Sequence, residues 1–108
     1  MLQDKFELSF LPMFYDDMAE IVDYISFILK NPDAADRLVE DVFSAIDERL
    51  PIADKFEPYP SRYEFRYRYY KIQVRNFMIF YVVINDRKPK VMEVRRILYN
   101  KRNIKDII

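Results

Sequence analysis

The chain has 108 residues, no formal net charge, and 51% hydrophobic and 17% aromatic residues, which suits one domain with one core and excludes a disordered chain. It contains neither His nor Cys, so Cys or His nucleophiles, a His general base, Cys/His zinc sites and disulfides are all excluded. No apolar run approaches the roughly 18 residues of a bilayer span, and the opening residues carry Asp4, Lys5 and Glu7, so an untargeted cytoplasmic protein without a membrane partner is expected.

The zero net charge conceals a partition. Residues 1–60 hold 5 basic and 14 acidic side chains and residues 61–108 hold 13 and 4, so the two parts carry −9 and +9. This predicts either a surface for phosphate or an acidic partner, or two layers of opposite charge that attract each other.

In chain order, Phe6, Leu8 and Phe10 alternate with Lys5, Glu7 and Ser9, predicting a half-buried strand that Pro12 ends. From Met13, the apolar positions Met18, Ile21, Val22, Ile25, Ile28 and Leu29 recur at spacings of three and four and predict the first helix. Asp16, Asp17, Glu20 and Asp23 fall early in it, where the helix dipole favours acids. That explanation displaces a metal cluster, and no metal or other cofactor is expected. Asn31-Pro32-Asp33 supplies a cap, a first helical residue and a first-turn acid for a second helix. This helix carries Ala34, Ala35, Leu38, Val42, Ala45, Ile46 and Leu50 at helical spacing before Pro51 closes it. So short a link makes the two helices an antiparallel hairpin.

Pro51, Pro58 and Pro60 around Phe56 and Tyr59 predict a packed loop to Arg62, with no domain boundary. Tyr63, Phe65, Tyr67 and Tyr69 then alternate with Glu64, Arg66 and Arg68, and Tyr70, Ile72 and Val74 with Lys71, Gln73 and Arg75. The slip at Tyr69-Tyr70 predicts a bulge. Arg75-Asn76 reads as a tight turn in which Asn76 tolerates positive φ. Phe77 to Ile84 forms a nearly continuous apolar strand, Asn85 to Pro89 a turn, Lys90 to Tyr99 the last strand, and Asn100 to Ile108 a basic tail. The expected fold is a single α+β domain over 1–108: an N-terminal strand and an antiparallel two-helix hairpin packed on an antiparallel β-sheet. Ile25, Leu38, Val42, Ile46, Ile72, Phe80 and Tyr81 are expected to be buried, with Phe65, Phe80 and Tyr81 packed under the helices.

The outward side of this meander carries Arg66, Arg68, Lys71, Gln73 and Arg75, joined by Arg95 or Arg96 from the last strand and by Lys101 after it. Cationic forks interleaved with Tyr have the composition of a nucleic-acid or target-binding face. They equally suit a solvated sheet face or one covered by an acidic partner segment. Strand alternation places Lys71, Gln73 and Arg75 on one face, with Arg96, Tyr99 and Arg102 near its edge. Without His or Cys, phosphodiester chemistry would fall to Lys and Arg for charge stabilisation and to Tyr or a pKa-shifted Lys for proton transfer.

Several stretches recur in one order: Asp17 to Ile25 ending in Asp23-Tyr24-Ile25, Ala34-Ala35 followed by Arg37-Leu38, Leu50 with the Pro-rich loop to Pro60, and Tyr67-Arg68 through Val74. Asn76-Phe77, Ile79-Phe80-Tyr81, Arg96-Ile97-Leu98-Tyr99 and Lys101-Arg102-Asn103 complete the set. Together they resemble the RelE/ParE superfamily of toxins from type II toxin-antitoxin systems over nearly the whole chain. The resemblance implies a RelE/ParE-like toxin fold and a growth inhibitor neutralised by a cognate antitoxin, whose extended or helical segment covers the basic sheet and helix grooves. In the RelE branch it implies an mRNA endonuclease acting at the ribosome, with Lys71 and Arg102 on the phosphate and Tyr99 as proton donor. Gln73 and Met78 stand where that branch carries a lysine and an arginine, and no terminal tyrosine follows Asn103. The long helical pair is more similar to the ParE branch, whose members poison DNA gyrase, although Tyr99 stands where that branch often has His. The resemblance thus favours a gyrase poison, with the ribosome-dependent endonuclease as the alternative and an inactive, partner-binding relative as a third reading.

Overall fold

The computed structural model describes residues 6–60 and 66–100. Pro12 turns the end of the first strand into a helix start. Strand β1 (Glu7–Phe10) passes through an extended Leu11 into helix α1 (Pro12–Asp23), with proline in the first helical turn, where a backbone N–H has no helical partner to lose. The predicted strand began at Lys5, which lies outside the described residues.

Helix α1 buries Phe14 and Met18 and continues into a π-helical turn over Tyr24–Ile28, with Leu29 N donating to Tyr24 O at 3.0 Å. A π-turn holds more residues than an α-turn, so an apolar stripe extrapolated at 3.6 residues per turn drifts off the core here. Ile25 is consequently only half-buried, correcting its expected burial, and Ile28 and Leu29, which continue the same apolar spacing, face solvent. Helix α2 (Pro32–Arg49) starts as predicted: the Asn31 side chain accepts from Ala34 N at 3.2 Å, and Asp33 lies in the first turn. Ala35, Leu38, Val42 and Ile46 are buried, and a single 3-10 turn over Leu50–Ile52 ends the helical layer. No helix among the described residues is long and apolar enough to cross a membrane.

Strands β2 (Tyr69–Val74), β3 (Phe77–Ile84) and β4 (Val91–Tyr99) form the expected antiparallel meander, and the sheet order is β1-β4-β3-β2. Strand β1 pairs with β4 in parallel, so the sheet is mixed rather than antiparallel. Period-two alternation fixes the face each side chain takes and is silent on a neighbour's direction. The β2–β3 register runs unbroken from Tyr69↔Val82 to Val74↔Phe77, so no bulge lies at Tyr69-Tyr70. The phase change there marks the entry into β2, since Arg66 and Tyr67 bend instead of extending it. The irregularity sits between β3 and β4, where Phe80 pairs with Arg96 and Tyr81 with Val94, leaving Arg95 as the extra residue. In the β2–β3 turn, Arg75 rather than Asn76 takes positive φ, at 53°.

The sheet is buried on both sides. Toward the helices, Phe14, Leu38, Val42 and Ile46 pack on Ile72, Ile79, Tyr81, Met92, Val94 and Ile97. On the opposite face Met78, Phe80 and Leu98 lie under Tyr59 and Tyr69, and Val82, Ile84 and Val91 under Tyr67 and Tyr69. This double burial is why β3 is apolar throughout instead of alternating. Phe80 is therefore buried on the face away from the helices, not beneath them, and Phe65 lies outside the described residues.

One hydrogen-bonded hook ties the segment after α2 to the sheet. The buried Tyr81 hydroxyl donates to Ala53 O at 2.7 Å and accepts from Arg49 Nη1 at 2.9 Å; the same nitrogen donates to Lys71 O at 3.1 Å. The Arg49 guanidinium also lies 3.6 Å from the Phe56 ring centroid. Burial pushes the Tyr81 hydroxyl above its ordinary pKa, opposed by the Arg49 hydrogen bond. Tyr81→Phe, which keeps the ring and leaves Ala53 O unpartnered, should cost about 1–3 kcal/mol in denaturant unfolding. An unchanged unfolding midpoint would show that the hook contributes nothing.

Candidate target-binding surface

Strand β4 outruns β1: their pairing stops at Phe10↔Val94, and β4 continues to Tyr99. A strand edge left in this way presents unpaired backbone groups. Asp17 of α1 fills part of it, its Oδ2 accepting from Ile97 N at 3.1 Å and from Arg96 Nε at 2.8 Å, and its Oδ1 from Arg96 Nη2 at 2.9 Å. The two side chains are 12% and 19% exposed, and the Asp17 hydrogen bonds raise the Arg96 pKa above its ordinary value. The expected dipole role for Asp17 is corrected, because the first turn of α1 holds no acid.

Arg95 is also engaged, donating to Glu93 Oε1 at 2.9 Å and to Tyr69 Oη at 3.2 Å. Burial opposes its charge, but these hydrogen bonds outweigh that effect and raise its pKa. Both arginines expected to meet a target thus have partners within the fold.

Lys71 and Gln73 are exposed on the face away from the helices, in register with Phe80 and Met78. Lys71 Nζ lies 5.4 Å from the Tyr59 ring centroid, and Gln73 Nε2 donates to Arg75 O at 2.9 Å. Arg75 does not share their face: from its positive-φ turn position it forms an ion pair with Asp41 of α2. Tyr99 pairs across strands with Phe77, ring centroids 5.7 Å apart, and Phe77 packs on the helix-side core. Lys71 and Tyr99 therefore lie on opposite faces of the sheet, which corrects the shared site drawn from alternation alone. Arg102 and Lys101 lie outside the described residues. Arg68 is exposed at the entry to β2. Met78 is buried. Among the described residues, no group of three or more Asp or Glu side chains is placed to hold a metal ion.

Two features escaped the sequence reading. The first is an apolar tip on the helical hairpin, with Tyr24, Phe27, Ile28 and Leu29 exposed by 54%, 71%, 66% and 56%; its sequence signal is an apolar run too dense for one helical stripe. The second joins the entry of β2 to the β3–β4 turn. Arg66 Nη2 donates to Asp86 Oδ2 at 3.0 Å, and Tyr67 Oη lies 3.1 Å from both Asp86 carboxylate oxygens. Asp86 stands alone as an acid within the basic tract Arg87, Lys88 and Lys90. The Arg66 and Tyr67 hydrogen bonds hold the Asp86 carboxyl below its ordinary pKa. A depressed folded-state pKa means that the contact's contribution is present above the unfolded value, roughly pH 4, and fades as pH falls through the folded value. A carboxyl-detected NMR titration should place the Asp86 midpoint below that of exposed aspartates, and Arg66→Gln should raise it. A midpoint indifferent to Arg66→Gln would contradict the pairing.

Comparison with known proteins places this geometry. The family described as "ParE toxin of type II toxin-antitoxin system, parDE" matches residues 8–104. No curated protein matches the sequence. Among solved structures, a chain titled "Chromosomal ParDE TA system from P. aeruginosa" has the same fold, with a TM-score of 0.68 at 18% identity over 90% of this chain and 98% of that one. The family match spans both helices, strands β2 to β4 and all of β1 but Glu7, and the chain belongs to the ParE toxin family of type II toxin-antitoxin systems.

Proposed function

We propose that this ParE-family toxin arrests growth in the cytoplasm by binding DNA gyrase, without chemistry of its own, and that a cognate antitoxin neutralises it by covering the hairpin tip. The observation that carries the reading is the separation of Lys71 from Tyr99 across the sheet. A ribonuclease needs its cation and its proton donor converging on one phosphate; a binding poison needs only a complementary surface. Gln73 and the buried Met78 add to this, since neither supplies charge to a scissile group. The RNase alternative keeps the exposed Lys71 in its favour.

The antitoxin part rests on the tip. Four large apolar side chains exposed on the π-helical turn and its C-cap are the kind of feature that an amphipathic segment covers in a helix groove. Such a contact depends on apolar burial more than on charge, so salt should weaken the complex less than the +9 half alone suggests.

Induced expression with plasmid supercoiling and translation measured separately is the test. Loss of negative supercoiling is expected before translation falls, with no discrete mRNA cuts by primer extension. Cuts within codons on ribosome-bound mRNA that vanish in Lys71→Ala, with supercoiling unchanged, would overturn the gyrase reading in favour of the nuclease. Phe27→Ser with Ile28→Ser should leave toxicity intact and weaken antitoxin rescue of growth at least tenfold in antitoxin dose. Undiminished rescue would place the antitoxin elsewhere.

A further inference from the structure

The sheet end that carries the β3–β4 turn holds positive charge that the fold does not neutralise. The Arg66–Asp86 contact draws the entry of β2 against this turn, and Arg66, Arg68, Arg87 and Lys88 are all exposed there. Of the acids at this end, Asp86 is already held by Arg66 and Tyr67, and Glu7, in register with Val91, forms no ion pair among the described residues. Lys90 pairs with Asp54 at 3.4 Å. Arg68, Arg87 and Lys88 form no ion pair among the described residues, whereas Arg75, Arg95 and Arg96 each have an acid partner within the fold.

We propose that this end binds the phosphate backbone of duplex DNA through Arg68, Arg87 and Lys88. Guanidinium forks match phosphate oxygens, and lysine adds a point charge. The cations come from two chain segments that the Arg66–Asp86 contact brings together at this end of the sheet. An acidic protein partner fits less well, because protein interfaces are anchored by buried aromatic and aliphatic side chains. Among the described residues, the exposed large apolar side chains are Met13, Tyr15, the hairpin tip, Ile52, Phe56 and Tyr99, and none of them belongs to 66–69 or 85–90. This contact stands apart from gyrase inhibition, although on the gyrase reading it sets the toxin against that enzyme's substrate.

Fluorescence anisotropy of the full chain with a labelled 20-base-pair duplex of arbitrary sequence, at low and moderate salt, tests the proposal. Three neutralised phosphates predict an affinity loss of about 40-fold between 50 and 200 mM salt. Arg68→Gln/Arg87→Gln/Lys88→Gln, at exposed positions without ion-pair partners, should unfold at the unmutated temperature. It should also lose at least tenfold in affinity at the lower salt and most of the salt dependence. No binding by the unmutated chain, equal affinity and salt slope in a folded triple variant, or equally tight binding of polyglutamate would each overturn the proposal. Supercoiling assays on the same proteins separate the two readings. Gyrase inhibition without DNA binding overturns this contact and spares the gyrase reading. DNA binding that depends on the three residues, without gyrase inhibition, supports the contact and overturns the gyrase reading.

Discussion

The carboxylate of Asp17 joins parts of the chain about 80 positions apart, accepting two hydrogen bonds from Arg96 and one from the backbone of Ile97. The short first strand makes this contact necessary. With β1 ended at Phe10, the late part of β4 needs a partner, and α1, which begins two residues later, is the element at hand. An ion pair so little exposed is costly unless its remaining hydrogen-bonding groups are met. Among the described residues, no buried side-chain polar atom lacks a partner. The contact also sets where α1 lies on the sheet, and so places Phe14 and Met18 in the core and carries the hairpin tip out into solvent.

Seen from this contact, the opposite charges of the two parts of the sequence are first a matter of assembly. Three of the five ion pairs among the described residues, Arg96–Asp17, Arg75–Asp41 and Lys90–Asp54, link a basic residue after position 60 to an acid before it. The half-exposed Arg75–Asp41 pair is worth at most about 1 kcal/mol, and its main effect is to turn Arg75 away from Lys71. The attraction between layers and a binding surface are therefore not rival readings. The fold takes up one subset of the cations, and Lys71, Arg68, Arg87 and Lys88 remain for partners.

Local chemistry was the legible part of the sequence. Pro12, the Asn31 cap with Pro32 and Asp33, and the last two meander strands appear where spacing and capping put them, because each depends on residues within a turn or two of itself. Long-range relations were not legible. The parallel pairing of β1, the extra residue at Arg95 and the covering of Met78, Phe80 and Leu98 by Tyr59 and Tyr69 depend on which distant segment arrives beside each strand. The site residues followed the same division. Alternation placed Lys71 and Gln73 together correctly, but failed at Arg75, where a positive-φ turn ends the strand, and across the Arg95 bulge, which removes strict alternation along β4 before Tyr99.

Arg96 accordingly belongs to the scaffold and not to the surface that meets a target. A double-mutant cycle of Asp17→Ala and Arg96→Ala, read by denaturant unfolding, measures this directly. A coupling energy of about 2 kcal/mol or more is expected, because either single change strands a little-exposed partner. A coupling near zero, with Arg96→Ala as stable as the unmutated chain yet unable to arrest growth, would contradict it and return Arg96 to the target surface.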